Sequence, residues 1–197
     1  MFDNPNIVKI IEDAKKNNKV LFFDKAITNV PNWNSFIDNL NYKFNSEKKY
    51  SLIEDKRMVN DVLIYNKMDP CVFNILTDNT ESKTIIEAEN VLNIFNKIMG
   101  FKSGCVKSLI NFVGNEAKYY IHADEHDVLS WHCVGQVEWR IYPNIILDKN
   151  IDPPTDVDEP YESYILNPGD VFYVPKGVVH QVVVDQPRAS IVYNYYY

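Results

Sequence analysis

The chain has 197 residues, a formal net charge of -7, 46% hydrophobic and 24% charged residues. That size and balance exclude a disordered chain and suit one domain with its own core, while the acidic balance disfavours nucleic acid as a partner. Cys71, Cys105 and Cys133 have no CxxC spacing, which excludes a disulfide framework and fits a reducing compartment. No basic region feeds a long apolar run near Met1 and no stretch is long enough to cross a bilayer, so the expected location is cytoplasmic, away from membranes.

Asn4-Pro5 followed by Ile7, Val8, Ile10, Ile11 and Ala14 predicts an amphipathic helix ending near Lys15 to Asn18. Residues 20–23 read as a short buried strand. A second helix starts around Val30-Pro31-Asn32 and carries Trp33, Phe36, Ile37 and Leu40 on one face. Residues 41–60 have weak periodicity and read as a loop containing a short strand or helix. Strands are expected at 61–65 and 72–76, and the helical spacing of Ile85, Ile86, Val91, Leu92, Ile94, Phe95 and Ile98 predicts a helix over 84–99.

After Gly100 and Gly104 the period changes. Strands are expected at 105–113, 118–124, 134–142, 162–166, 171–174, 180–184 and 190–195, with Gly114-Asn115 as a turn. Short strands without alternating helices predict an antiparallel sandwich or barrel. Residues 146–161 interrupt it with Asp148, Asp152, Asp156, Asp158 and Glu159 among prolines, a stiffened solvated loop or a lid. His126, Trp131 and His132 fall in a loop, where packing or surface roles are the commoner expectation, the alternative for either histidine being to pin the loop or orient a metal ligand through its ring nitrogens.

Two blocks carry chemistry. His122-Ala123-Asp124 puts an imidazole and a carboxylate two residues apart. The turns Pro168-Gly169-Asp170 and Pro175-Lys176-Gly177 bracket a strand and set the height of His180. Two imidazoles and one carboxylate cover one face of an octahedral ion and leave the other open, as in non-haem Fe(II) sites. Arg188-Ala189-Ser190 offers a guanidinium fork for a carboxylate, with the Ser190 hydroxyl on the same strand face. Arg140 is the competing cation, although strand parity sets it opposite Val137, Trp139 and Ile141. Tyr120 shares the face of His122 and has a phenol to donate.

The run Gly169-Asp170-Val171-Phe172-Tyr173-Val174-Pro175-Lys176-Gly177-Val178-Val179-His180 resembles the second motif of the cupins. Together with the HxD block and the strand from Gly135 through Trp139 to Tyr142, the layout resembles the JmjC-type branch of Fe(II) and 2-oxoglutarate dependent oxygenases. The resemblance implies an all-β core with helical additions, a double-stranded β-helix (cupin or jelly-roll barrel) flanked by N-terminal helices. It implies a single domain over 1–197, with supporting elements in 1–103 and the core barrel and metal motifs in 104–197. It further implies Fe(II) on His122, Asp124 and His180, 2-oxoglutarate as cosubstrate, and hydroxylation of a protein or small molecule.

Many JmjC-type members bind the cosubstrate with a lysine two residues after the strand glycine, and here that position is Val137. Arg188, Ser190, Tyr120 and Arg140 are therefore the candidate cosubstrate contacts. The alternatives are a metal-dependent cupin enzyme without 2-oxoglutarate, which Val137 favours, and a noncatalytic cupin binding module, which the intact triad opposes. The expected partner is a small-molecule or peptide substrate, and the aromatic tail of Tyr193, Tyr195, Tyr196 and Tyr197 suits either a core strand or the interface of a homodimer.

Overall fold

The computed structural model describes residues 6–38, 51–54, 57–59, 72–76, 103–111, 117–118, 120–147, 154 and 156–196. The helix expected over 84–99, the strand expected over 61–65 and Leu40 lie outside them.

Helix α1 (Ile7–Lys16) turns Ile11 and Ala14 inward and leaves Lys9, Ile10, Glu12 and Asp13 exposed. It stops at Asn17, whose N–H reaches back to the Asp13 carbonyl at 3.1 Å, and Asn18 then takes the left-handed φ of 50° that asparagine tolerates. The strands are β1 (Leu21–Phe23), β2 (Ser51–Glu54), β3 (Arg57–Val59), β4 (Val72–Leu76), β5 (Ser103–Asn111) and β6 (Ala117–Lys118). They continue as β7 (Asp127–Val134), β8 (Val137–Ile141), β9 (Glu162–Leu166), β10 (Val171–Val174), β11 (His180–Val184) and β12 (Arg188–Tyr196).

These strands form an eight-stranded sheet, ordered β1-β10-β7-β12-β5-β4-β2-β3, and a four-stranded sheet, ordered β6-β11-β8-β9. Every pairing is antiparallel. Alternation of side chains then sorts each strand onto two faces. Leu129, Trp131 and Cys133 of β7, Val171 and Tyr173 of β10, and Ile191, Tyr193 and Tyr195 of β12 face outward, packed against Ile11, Ala14 and Phe36. Val128, Phe172, Val174 and Val192 face inward and meet Val137, Trp139, Ile141, Leu166 and Val184 of the smaller sheet. Each large apolar side chain buried in these two cores contributes roughly 1.5–3 kcal/mol.

The closed double-stranded β-helix expected from the sequence resemblance is not what forms among the described residues. Neither sheet closes: the larger ends on β1 and β3, the smaller on β6 and β9. The described structure is instead two open antiparallel sheets, with helical segments against the outer face of the larger. The reason lies in the contacts: the two sheets meet through the side chains of the inner core rather than through a shared backbone ladder.

Two strands also differ from expectation. The one expected over 118–124 shrinks to β6 and a single bridge between His122 and His180. The region expected to be a loop around Trp131 and His132 is β7, the strand that joins β10 to β12 in the larger sheet and is buried along almost its whole length. Its polar residues hid it, but each side of the strand has an apolar or hydrogen-bonded environment. Asp127, for example, accepts from the Tyr173 hydroxyl at 2.7 Å and the Lys176 N–H at 2.8 Å.

Candidate metal centre

Strand β11 opens with His180, and the chain before β7 passes beside it in an irregular path. The two are joined by reciprocal backbone hydrogen bonds, His122 N–H to the His180 carbonyl at 2.9 Å and His180 N–H to the His122 carbonyl at 2.8 Å. This bridge brings the imidazole centroids to 4.3 Å. Because the backbone leaves strand geometry immediately afterwards, Asp124 turns toward both rings. Its carboxylate lies 3.5 Å from His180 Nε2 and 3.9 Å from His122 Nε2. The Gly177 N–H donates to the Asp124 carbonyl at 3.0 Å, tying the carboxylate's backbone to the turn that precedes His180. That turn uses Gly177 at φ 82°, and the turn before β10 uses Gly169 at φ 98°.

The three ligand atoms of His122, Asp124 and His180 all lie within 4.8 Å of one another, a spacing placed to hold a metal ion. The orientation of both rings is set by their other nitrogens. His122 Nδ1 faces the Tyr120 carbonyl at 3.0 Å and His180 Nδ1 faces the Val178 carbonyl at 2.9 Å. A carbonyl only accepts, so each Nδ1 carries the proton and each Nε2 presents a lone pair toward Asp124. Burial, reinforced by the neighbouring His122, holds the His180 pKa well below the ordinary imidazole value, which keeps the imidazole neutral and able to ligate. Trp139 stacks on the His180 ring at 5.2 Å and 28° and touches Phe172 of the opposite sheet, so the buried ligand is fixed from the core side. His180 is 2% exposed, whereas His122 and Asp124 are 20% and 26% exposed, so the group opens to one side only.

The remaining candidates divide by sheet face. Arg188 and Ser190 are buried on β12 with the parity of Val192, and so face the space between the sheets. Asn111 of β5 pairs with Arg188, and Ser130 of β7 pairs with Val192; both are buried on that same face. Arg140 lies on the other side of the smaller sheet. Its Nη2 and Nε donate to Glu138 at 2.8 and 3.0 Å, and its guanidinium covers the Tyr161 ring at 4.8 Å. The structure therefore does not bring Arg140 to the triad. Tyr120 is half-buried with its ring 5.0 Å from the His122 ring. Val137 is buried in the core between the sheets. Trp139 is not among the sequence candidates, and His132 enters there only as a histidine that pins a loop or orients a metal ligand. The alternation of Leu129, Trp131 and Cys133 with Val128, Ser130 and His132 is the signal that identifies β7 and puts His132 on the inner face.

The site and fold have clear relatives. A model of the JmjC domain matches residues 85–195. A bifunctional lysine-specific demethylase and histidyl-hydroxylase NO66 of Dictyostelium discoideum is 36% identical over 69 residues, covering 32% of this chain and 13% of that protein. Ribosomal oxygenase 2 of Rattus norvegicus is 32% identical over 63 residues, covering 30% of this chain and 14% of the relative. The matched stretches are thus a small part of these much longer proteins. An X-ray structure of Escherichia coli YcfD superimposes with a TM-score of 0.68 at 12% identity, covering 96% of this chain and 52% of that one. The same protein, described as a ribosomal oxygenase in complex with cobalt and 2-oxoglutarate, superimposes with a TM-score of 0.66 at 14% identity, covering 91% of this chain and 48% of that one. At such identities the superpositions speak for the fold. The domain model, matched over more than half of the residues, speaks for descent, and by it this chain belongs to the JmjC domain family.

Proposed function

We propose that the chain is an Fe(II)- and 2-oxoglutarate-dependent oxygenase that hydroxylates a protein substrate, with the metal on His122, Asp124 and His180. The observation that carries this reading is the pair of Nε2 lone pairs and the Asp124 carboxylate converging within 4.8 Å, each ring locked by an Nδ1–H bond to a carbonyl. Two neutral imidazoles and one carboxylate suit a divalent iron that must also accept an anionic cosubstrate. With Fe(II) and 2-oxoglutarate bound, the site would reduce dioxygen, the oxidant, one oxygen atom going into the substrate hydroxyl and the other into succinate as carbon dioxide is lost.

The chain's own residues do the positioning. Arg188, buried on the inner face, is the cation for the distal carboxylate of 2-oxoglutarate, a role for which a guanidinium fork is matched to its partner. The Ser130 hydroxyl on the same face is buried and has no hydrogen-bond partner among the described residues, and a polar ligand between the sheets would satisfy it. Val128, Trp139, Phe172 and Val192 wall this space with apolar surface and exclude water from it. Tyr120, its ring tilted against that of His122, borders the open side. Residues 1–103 act as support for the catalytic part, 104–197, in one functional unit.

The protein class of substrate is taken from the relatives' names, ribosomal oxygenase and histidyl-hydroxylase. Charge supports a basic peptide. The Ile121 N–H donates to the Pro154 carbonyl at 2.7 Å, which anchors the acidic segment next to His122, and Asp156, Asp158, Glu159 and Glu162 beyond it are exposed. The test is an anaerobic titration of metal-free protein with Fe(II) and 2-oxoglutarate, following the visible charge-transfer band in wild type and Arg188→Ala. A band that weakens in the variant supports the reading. Iron binding without a band refutes the cosubstrate, and the function with it.

A further inference from the structure

Behind Arg188 and Ser190, on the neighbouring strand β7, lies a histidine that the reaction as proposed does not use. His132 is fully buried, with Nδ1 2.9 Å from the Ser190 hydroxyl oxygen and Nε2 2.9 Å from the Gly135 carbonyl oxygen. The direction of these bonds follows from elementary chemistry. The Gly135 carbonyl can only accept, so Nε2 carries the proton. A neutral imidazole has one such proton, so Nδ1 is a bare acceptor and the Ser190 hydroxyl must donate to it. The Ser190 oxygen is then left to accept, and Arg188 Nη1 donates to it at 3.2 Å. The bonds therefore run in one direction, from Arg188 through Ser190 and His132 to Gly135.

We infer that His132 is a positioning residue for the carboxylate-binding fork: it accepts the hydrogen bond of the Ser190 hydroxyl, turns the Ser190 oxygen toward Arg188, and so orients the guanidinium before a ligand arrives. This rests on the assignment of Arg188 to the cosubstrate. It alters what Ser190 does, since a hydroxyl whose proton is held by His132 is a brace for Arg188 and no donor to the ligand. Burial, with the adjacent Arg188 charge, holds the His132 pKa down at about 4, which keeps the ring in the accepting form at neutral pH. The far end of the relay is equally built. Gly135 has φ 73°, and a Cβ there would stand 2.2 Å from the Pro187 carbonyl oxygen, so only glycine brings its own carbonyl under the His132 ring while touching the start of β12.

The experiment is a double-mutant cycle read by 2-oxoglutarate affinity on the Fe(II)-loaded protein under anaerobic conditions, with wild type, His132→Leu, Ser190→Ala and the double variant. The expected result is a loss of roughly tenfold in affinity for each single variant, with no further loss in the double. Unchanged iron affinity is expected throughout. His132→Asn, whose side-chain oxygen replaces the Nδ1 acceptor, is expected to recover most of the loss and guards against a variant that merely folds poorly. In the metal-free protein, imidazole 15N shifts are expected to show the proton on Nε2 of His132 and on Nδ1 of His122 and His180. Additive losses, unchanged affinity in His132→Leu, or a proton on His132 Nδ1 would overturn the inference alone. Absence of 2-oxoglutarate binding in wild type would overturn the functional reading beneath it.

Discussion

Replacing His132 with asparagine should change how the protein responds to acid. The ring is fully buried, and burial together with Arg188 lowers its pKa from the ordinary 6.5 to about 4, while the Gly135 carbonyl and Asp170 offset part of that. Because the folded value lies below the unfolded one, the unfolded chain takes up the proton first as pH falls. The contribution of a neutral His132 to stability is therefore whole above pH 6.5 and is lost progressively down to pH 4. At about 1.4 kcal/mol per pH unit, the full gap corresponds to about 3 kcal/mol, of which about 2 kcal/mol is gone by pH 5. The assay is urea unfolding of metal-free protein followed by tryptophan fluorescence from pH 8 to pH 5. His180 titrates in both proteins, so the difference between wild type and His132→Asn isolates the one ring. The wild type should lose about 2 kcal/mol more than the variant across that range. Parallel curves would refute a neutral, buried His132 and the direction of the bonds drawn through it.

Asp127→Ala leaves the buried Tyr173 hydroxyl and the Lys176 N–H without their acceptor, and denaturant unfolding should register a loss of about 2–4 kcal/mol. Gly135→Ala forces a Cβ to within 2.2 Å of the Pro187 carbonyl at a left-handed φ, so melting temperature and 2-oxoglutarate affinity should fall together. Addition of Co(II) should raise the melting temperature of wild type by several degrees, whereas Asp124→Ala and His180→Ala should show no such rise. Trp139→Ala removes the ring stacked on His180 and should weaken metal affinity roughly tenfold without altering the ligand set, which isothermal titration would detect.

The parts of this protein that were legible in its sequence are those written in local chemistry. Gly169 and Gly177 adopt positive φ in the two turns around β10, and a glycine-based turn can be read without knowing its surroundings. The alternation in β8 is similarly local: Val137, Trp139 and Ile141 are buried inward, and Arg140 is left on the other face beside Glu138. Membership of the JmjC family followed from such signals, since the HxD block and the second motif are short and contiguous.

β7 was passed over despite its alternation because Asp127 and His132 read as loop residues until their partners are known. Those partners, Tyr173, Lys176 and Ser190, are 46, 49 and 58 residues away in the chain. Trp139 gave the same difficulty, because its stacking on His180 is a contact between strands rather than a pattern within one.

The closed barrel failed as an expectation for a related reason. A strand with one buried face looks the same in a barrel and in a pair of open sheets, and only the hydrogen-bond partners of β1, β3, β6 and β9 distinguish them. By itself, then, the sequence determined which turns, which strand faces and which ligand chemistry this chain possesses. The tertiary structure alone decided that Asp124 turns toward both imidazoles, that Arg188 is buried in the space between the sheets, and that His132 stands beside Ser190. Each of these depends on the register between distant strands, and register is set by the packing of the whole core.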